Sequence, residues 1–116
     1  MKIIKLNISE RLFALKYLDS FKGTVSLLSK VMDSVKSFGI SPEEWEKADR
    51  KITKGADGEE NWAWDNEKAG VKDVEADEDV FSFLKISIDK QEKEEGFGLA
   101  DRAVIDLRSK IEEALK

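Results

Sequence analysis

The chain contains no cysteine and no histidine. Without cysteine there is no disulfide, no thiol nucleophile and no thiolate metal ligand. Without histidine there is no imidazole base, which excludes Ser-His-Asp and Cys-His enzymes along with Cys₂His₂ and Cys₄ zinc sites. Long apolar runs are missing too. Nothing approaches the ~20 consecutive apolar residues that a membrane span needs, so no membrane association is expected. The opening Lys2-Ile3-Ile4-Lys5 runs directly into polar residues. It lacks the apolar core and small-residue cleavage site of a signal peptide, so a cytoplasmic protein is the default expectation. The absence of cysteine fits that compartment.

What is present is a chain of 116 residues, 41% hydrophobic, with three Trp and six Phe. That is too apolar for a disordered polymer. The length suits a single domain over residues 1–116, able to bury roughly two-thirds of its unfolded surface. Acids number 25 against 20 bases, for a net charge of -5. The charge is unevenly placed: residues 1–40 carry +4, residues 41–80 carry -8 and residues 81–116 carry -1. Such asymmetry marks either a partner surface or simply acidic solvated loops.

Met1 to Leu6 is short and β-branched and reads as a strand. Asn7 with Glu10 three positions on forms a capping box, and Ile8, Leu12, Leu15 and Leu18 follow at helical spacing to about Ser20. Thr24 caps a second helix, with Val25, Leu28, Val31 or Met32, Val35 and Phe38 in a stripe. Gly39 stands where a left-handed C′ glycine is expected. Ser41, Pro42 and Glu44 supply a cap, a proline at the first helical position and a second capping-box acid. Ile40 and Trp45 sit at the positions of a hydrophobic staple, and this short helix should end near Asp49. Residues 50–76 read as a small β-hairpin or meander: Gly55, Asp57 and Gly58 supply turns, and Trp62 and Trp64 alternate as in a half-buried strand. Val71 to Ala76 is a further strand, and the N-terminal strand is a candidate to complete the sheet. Asp77 to Asp79 place acids where a helix starts. The apolar spacing of Val80, Phe81, Leu84 and Ile88 and the length before Gly96 favour a helix there over the rival strand. A last helix runs from about Ala100 to Leu115. The expected fold is α+β, four to five helices packed with a small antiparallel sheet or hairpin. Its predicted core is Ile4, Leu12, Leu15, Leu28, Val31, Val35, Phe38, Trp45, Trp64, Leu84, Ile88, Leu107 and Ile111.

Carboxylates are the only abundant chemical resource. Asp73, Glu75, Asp77 and Asp79 alternate like the start of a calcium loop, but the required glycine and twelfth-position acid are replaced by Glu78 and Leu84. No metal site, no cofactor and no catalytic residue is expected. Gly96-Phe97-Gly98 lacks the third glycine of a dinucleotide fingerprint, since Asp101 stands there. Trp62 and Trp64, flanked by Glu59, Glu60, Asp65 and Glu67, are the candidate partner surface, read against the plainer possibility that both tryptophans close a small core. The acids disfavour nucleic acid as the partner. The alternative is a small regulator that contacts nucleic acid through Lys16, Lys22, Lys30 and Lys36 on the basic N-terminal helices. The apolar stripes of the second and last helices are a further candidate surface for self-association.

Some features carry a family resemblance. They are Ile8-Ser9-Glu10-Arg11-Leu12 opening the first helix, Ser41, Glu43 and Glu44 opening the third, Trp64, and Lys72-Asp73-Val74-Glu75 ahead of a further helix. With a Leu/Ile-rich last helix, this order resembles a family of short bacteriophage and prophage proteins. The resemblance covers most of the chain. It implies a viral or prophage origin, a host-cytoplasmic location with virion association as an option, and no catalytic residues. The sequence departs from that pattern in the acidic stretch from Asp57 to Glu67 and in the pair Trp62 and Trp64. The resulting expectation is a non-enzymatic interaction or assembly protein that binds a protein partner or a second copy of itself.

Overall fold

A computed structural model describes all 116 residues. The elements follow in the order β1 (Lys2–Leu6), α1 (Ile8–Asp19), α2 (Val25–Phe38), α3 (Pro42–Lys47), β2 (Lys51–Lys54), β3 (Glu60–Ala63), α4 (Asn66–Ala69), β4 (Lys72–Ala76), α5 (Glu78–Glu94) and α6 (Ala103–Ala114). A 3₁₀ turn at Leu99–Asp101 leads into α6. The fold is α+β. It has one helix more than expected, the single turn α4, which lies inside the segment read as a meander.

The two expected capping boxes form. Asn7 Oδ1 accepts from Glu10 N–H (2.8 Å) while Glu10 Oε1 accepts from Asn7 N–H (2.9 Å). Ser41 Oγ and Glu44 Oε1 exchange the equivalent bonds at 3.2 Å each. Each box satisfies donors that a helix start would otherwise leave free. Both therefore fix where the chain turns into a helix.

The meander divides into two separate ribbons. β1 pairs antiparallel with β4, Ile4 opposite Val74 and Ile3 opposite Glu75. β2 pairs antiparallel with β3, Ile52 opposite Trp62 and Lys54 opposite Glu60. Period-2 alternation explains the first ribbon. Ile4, Leu6, Val74 and Ala76 are buried on one face, against the helices, while Ile3, Lys5, Asp73 and Glu75 are exposed on the other. Its inner face joins Val80, Phe81, Leu84 and Ile88 of α5 and Val104, Leu107 and Ile111 of α6 in one core.

Three expectations about helices need correction. Leu28 is not core but 41% exposed, in a row with exposed Val25 and Met32. The buried row of α2 is Val31, Ser34 and Phe38, because Ser34 turns its hydroxyl back to Lys30 O (2.8 Å) and needs no outside partner. Val35 packs at the edge of the core, half-buried. Along α1, Leu12 and Leu15 are only partly buried, and Glu10, Arg11 and Ala14 face inward instead. Gly39 is extended at φ -60°, not left-handed. Left-handed C′ positions occur at Gly96 (φ 75°) and at Asp49 (φ 58°). Trp45 and Trp64 are half-buried and lie outside the central core.

The radius of gyration is 14.8 Å, against about 13 Å for a compact chain of this length. The excess has a local source: every residue of β2 and β3 is exposed. That ribbon stands off the body as an arm.

Candidate functional site

The arm is built by its turn. Gly55 N–H donates to Glu59 O (2.8 Å) and Gly58 N–H to Gly55 O (3.0 Å), with Gly58 at φ 84°. This is a three-residue hairpin loop, a type I turn followed by a left-handed residue, a place where glycine costs nothing. Asp57 Oδ1 accepts from Glu59 N–H (3.2 Å) and stiffens the tip. Ile52, Lys54, Glu60 and Trp62 share one face; Lys51, Thr53, Asn61 and Ala63 share the other.

A two-stranded hairpin alone is marginal in water, and three tryptophans and an arginine support this one. Trp45 of α3 packs edge-on with Trp62 (ring centroids 5.6 Å, 82°) and with Trp64 (5.5 Å, 74°). The Arg50 guanidinium lies over both Trp45 (5.2 Å) and Trp62 (4.9 Å), in the range of a cation–π contact. The end of α3 makes this arrangement. Asp49 N–H bonds Glu46 O (3.1 Å) and Arg50 N–H bonds Trp45 O (3.2 Å), the two bonds of a Schellman motif with Asp49 in the left-handed position. The reversal returns Arg50 to the ring of Trp45 behind it.

The two tryptophans chosen from the sequence are thus brought together but do different things. Trp64 is half-buried and anchors the arm: its Nε1 donates to Ser9 Oγ (3.2 Å) and Asn66 Oδ1 (3.0 Å). Asp65 N–H adds a bond to Ala48 O (2.8 Å). Trp62 is 45% exposed and donates to Glu60 Oε2 (3.3 Å). Trp45 packs edge-on against both, and no ring contact joins Trp62 to Trp64 directly.

The four candidate acids also separate. Asp65 caps α4, accepting from Glu67 N–H (2.9 Å) and Lys68 N–H (3.2 Å). Glu59, Glu60 and Glu67 are exposed and enter no ion pair. Nowhere do three carboxylates converge in metal-binding reach. Asp77 and Asp79, from the alternating acidic run, instead bracket Lys30 at 3.7 and 2.9 Å. The Asp79 hydrogen bond, with both negative charges, holds the Lys30 ammonium above its usual pKa. One of the four lysines of the basic N-terminal surface is therefore already neutralised.

Arg50 and a buried ionic network are not singled out by the sequence as functional, and both are prominent in the fold. Arg11 is fully buried, donating to Gly39 O (3.1 Å) and pairing with Glu44. Glu10 is 1% exposed and pairs with Lys110 (2.8 Å). The Arg11 hydrogen bond holds the Glu44 carboxyl below the usual carboxylate range. The available signal was the capping boxes, which draw Glu10 and Glu44 back against the body. The largest cleft, about 680 Å³, opens beside this network between Ser9, Phe13, Trp64 and Arg102. Glu10 Oε2 is buried there without a hydrogen-bond partner.

No family model matches the sequence, and no curated protein or solved structure is detectably similar to it.

Proposed function

We propose that this is a non-enzymatic, phage-type interaction or assembly protein of the host cytoplasm, and that the β2–β3 arm is its contact element. The observation that carries this reading is the arm itself: a ribbon exposed on both faces, whose half-exposed Trp62 sits beside Glu59 and Glu60, neither in an ion pair. Aromatic residues rimmed by polar ones are typical of protein contact surfaces. The open strand edges offer backbone groups for pairing with another chain. The acidic middle of the sequence places negative charge at the tip, in Asp57, Glu59 and Glu60.

The reading is tested by photo-crosslinking from position 52 or 60 in cells. A chain whose residues 52–62 are replaced by a short Gly-Ser turn serves as the comparison. Discrete protein adducts that vanish in the shortened chain are the expected result. Identical partners with and without the arm would remove it from the contact. Salt-sensitive retention on DNA by the intact chain would favour the nucleic-acid alternative instead.

A further inference from the structure

Three strand edges of this molecule are open, those of β1, β2 and β3, and hydrogen-bond geometry shows which residues each presents. On the first ribbon, Glu75 N–H donates to Ser37 Oγ of α2 (2.8 Å), so it points away from β1. Residues directly opposite in an antiparallel ladder share that sense. Ile3, opposite Glu75, and Lys5, opposite Asp73, therefore turn their own N–H and C=O groups outward. Those groups have no partner within the chain. Ile3 is 60% exposed and Lys5 enters no ion pair. A groove of about 490 Å³ runs along this edge between β1 and α6, walled on the α6 side by Ser109, Lys110, Glu113 and Ala114.

On the arm, the hydrogen-bonded pair Gly55 and Glu59 sets the alternation. Thr53 and Asn61 bond inward, so on β3 it is Glu60 and Trp62 that carry outward backbone groups. These too have no partner within the chain.

We infer that the arm of one copy adds as a strand to the β1 edge of a second copy, with Glu60 opposite Lys5 and Trp62 opposite Ile3. The inference rests on the arm being the contact element. The antiparallel alignment that places Glu60 against Lys5 places Trp62 against Ile3 without adjustment, since both edges present their outward residues two apart. One cross-strand pair is then oppositely charged and the other apolar, both favourable. Asn61 falls opposite Ile4, on the face of the sheet that borders the groove. The result is a four-stranded sheet ordered β4–β1–β3–β2, the last two strands from the other copy. Two competing self-pairings match less well. In full overlap, β1 against β1 of a second copy sets Ile3 opposite Lys5. The outward residues of β2 are Ile52 and Lys54, and in full overlap with β1 each lysine faces an isoleucine. A third, β3 against β2 of a second copy, also sets Glu60 opposite Lys54 and Trp62 opposite Ile52; Lys5→Glu leaves that third pairing intact and so separates it from the β1 contact.

The contact is small and belongs to the transient class, so association is read by sedimentation at protein concentrations on the order of 0.1–1 mM. Lys5→Glu and Glu60→Lys each break one contact by like charge. Both positions are exposed and outside every ion pair of the fold, but Lys5 faces Asp73 and Glu60 faces Lys54 across their own ribbons, so circular dichroism and amide exchange of Thr53 and Asn61 must first show that each variant keeps its body and its arm. Each variant alone should associate at least ten-fold more weakly than the parent. Mixed together, the two variants should associate again. The glutamate introduced in one meets the lysine introduced in the other, and the unaltered Lys5 and Glu60 still pair. The double variant should also associate. Four results overturn the inference: a parent that is monomeric at about 1 mM, single variants that associate undiminished, a mixture that stays monomeric, or a double variant that stays monomeric. A monomeric parent that still forms arm-dependent adducts with other proteins leaves the arm as a contact element and removes only self-assembly. Neither association nor adducts would remove both.

Discussion

Arg11 shows how much of this fold depends on single charged side chains. Its guanidinium is out of water, held by Gly39 O and Glu44 and, at 3.4 Å, by Asn7 O. A buried charge is tolerable only while its partners remain, and removing one partner costs more than the pair itself contributes. Glu44→Ala should therefore destabilise the protein by about 3 kcal/mol in urea unfolding at neutral pH. A loss below about 1 kcal/mol would mean that solvent reaches Arg11. The same pair sets an acid limit. The Glu44 carboxyl is lowered in the folded state, first by the Arg11 hydrogen bond and then by the Ser41 N–H and the Arg11 and Lys72 charges, against an opposing desolvation effect. Its contribution is therefore complete above the unfolded carboxyl value, about 4.3, and is lost as the pH falls through the lower folded value. Below about pH 4.3 the stability of the parent should fall more steeply than that of Glu44→Gln. Parallel profiles would place the acid limit elsewhere. Glu10 is the mirror case. Lys110→Met leaves its carboxylate with only the Asn7 N–H and should cost about 2 kcal/mol. Adding Glu10→Gln should restore part of that loss, since an amide costs less than a charge to bury. A double variant no better than Lys110→Met would show that the carboxylate is not what suffers.

At the scale of elements, what the sequence reveals depends on how far apart the cooperating residues lie. Both capping boxes join residues three apart, and both were legible at Asn7–Glu10 and Ser41–Glu44. The helix over Glu78–Glu94 followed from spacing and length alone. The division into two ribbons did not, because β1 meets its partner β4 from the far side of four helices and the whole arm. No local pattern chooses that partner over Trp62 and its neighbours. The left-handed residue after α3 was also hidden, since Asp49 takes a position that glycine usually marks and Gly39 carries the mark without the conformation. Of the candidate site, Trp62, Trp64 and their acids were visible as a cluster in sequence. Trp45 and Arg50, which support the arm, were not, because their role depends on the chain reversal at Asp49. That support has a measurable consequence. Trp45 touches both arm tryptophans, and Arg50 bridges Trp45 and Trp62. Trp45→Ala therefore removes both aromatic contacts that steady an otherwise marginal hairpin, leaving only the Arg50–Trp62 contact and the anchor at Trp64 and Asp65. The amides of Thr53, Asn61 and Ala63 should exchange with deuterium at least ten-fold faster in that variant, while those of Leu84 and Ile88 in α5 keep their protection. Equal loss in both places would show that the arm and body unfold as one unit.

For the whole molecule, the uneven charge becomes a statement about shape. The basic first third supplies the β1 edge, with Lys2 and Lys5, and the acidic middle supplies the arm tip, with Asp57, Glu59 and Glu60. Because edge and arm sit on the same copy and differ, a contact between them is heterologous: each copy offers one surface and accepts at the other. Such a contact either closes into a ring or grows without a fixed end. A Lys5→Glu copy has an intact arm but a β1 edge that repels the next arm, so it should join an existing assembly and stop it. Adding it in small proportion to the parent should shorten the assemblies, lowering the weight-average mass well beyond simple dilution. Glu60→Lys should do the same from the opposite end. An isologous dimer would respond differently, since each variant copy could poison only its own pair and the mass would fall in direct proportion to the amount added. The comparison of those two titrations, at one total concentration and about 0.1 M salt, where exposed charges still interact within roughly 10 Å, separates directional growth from pairing.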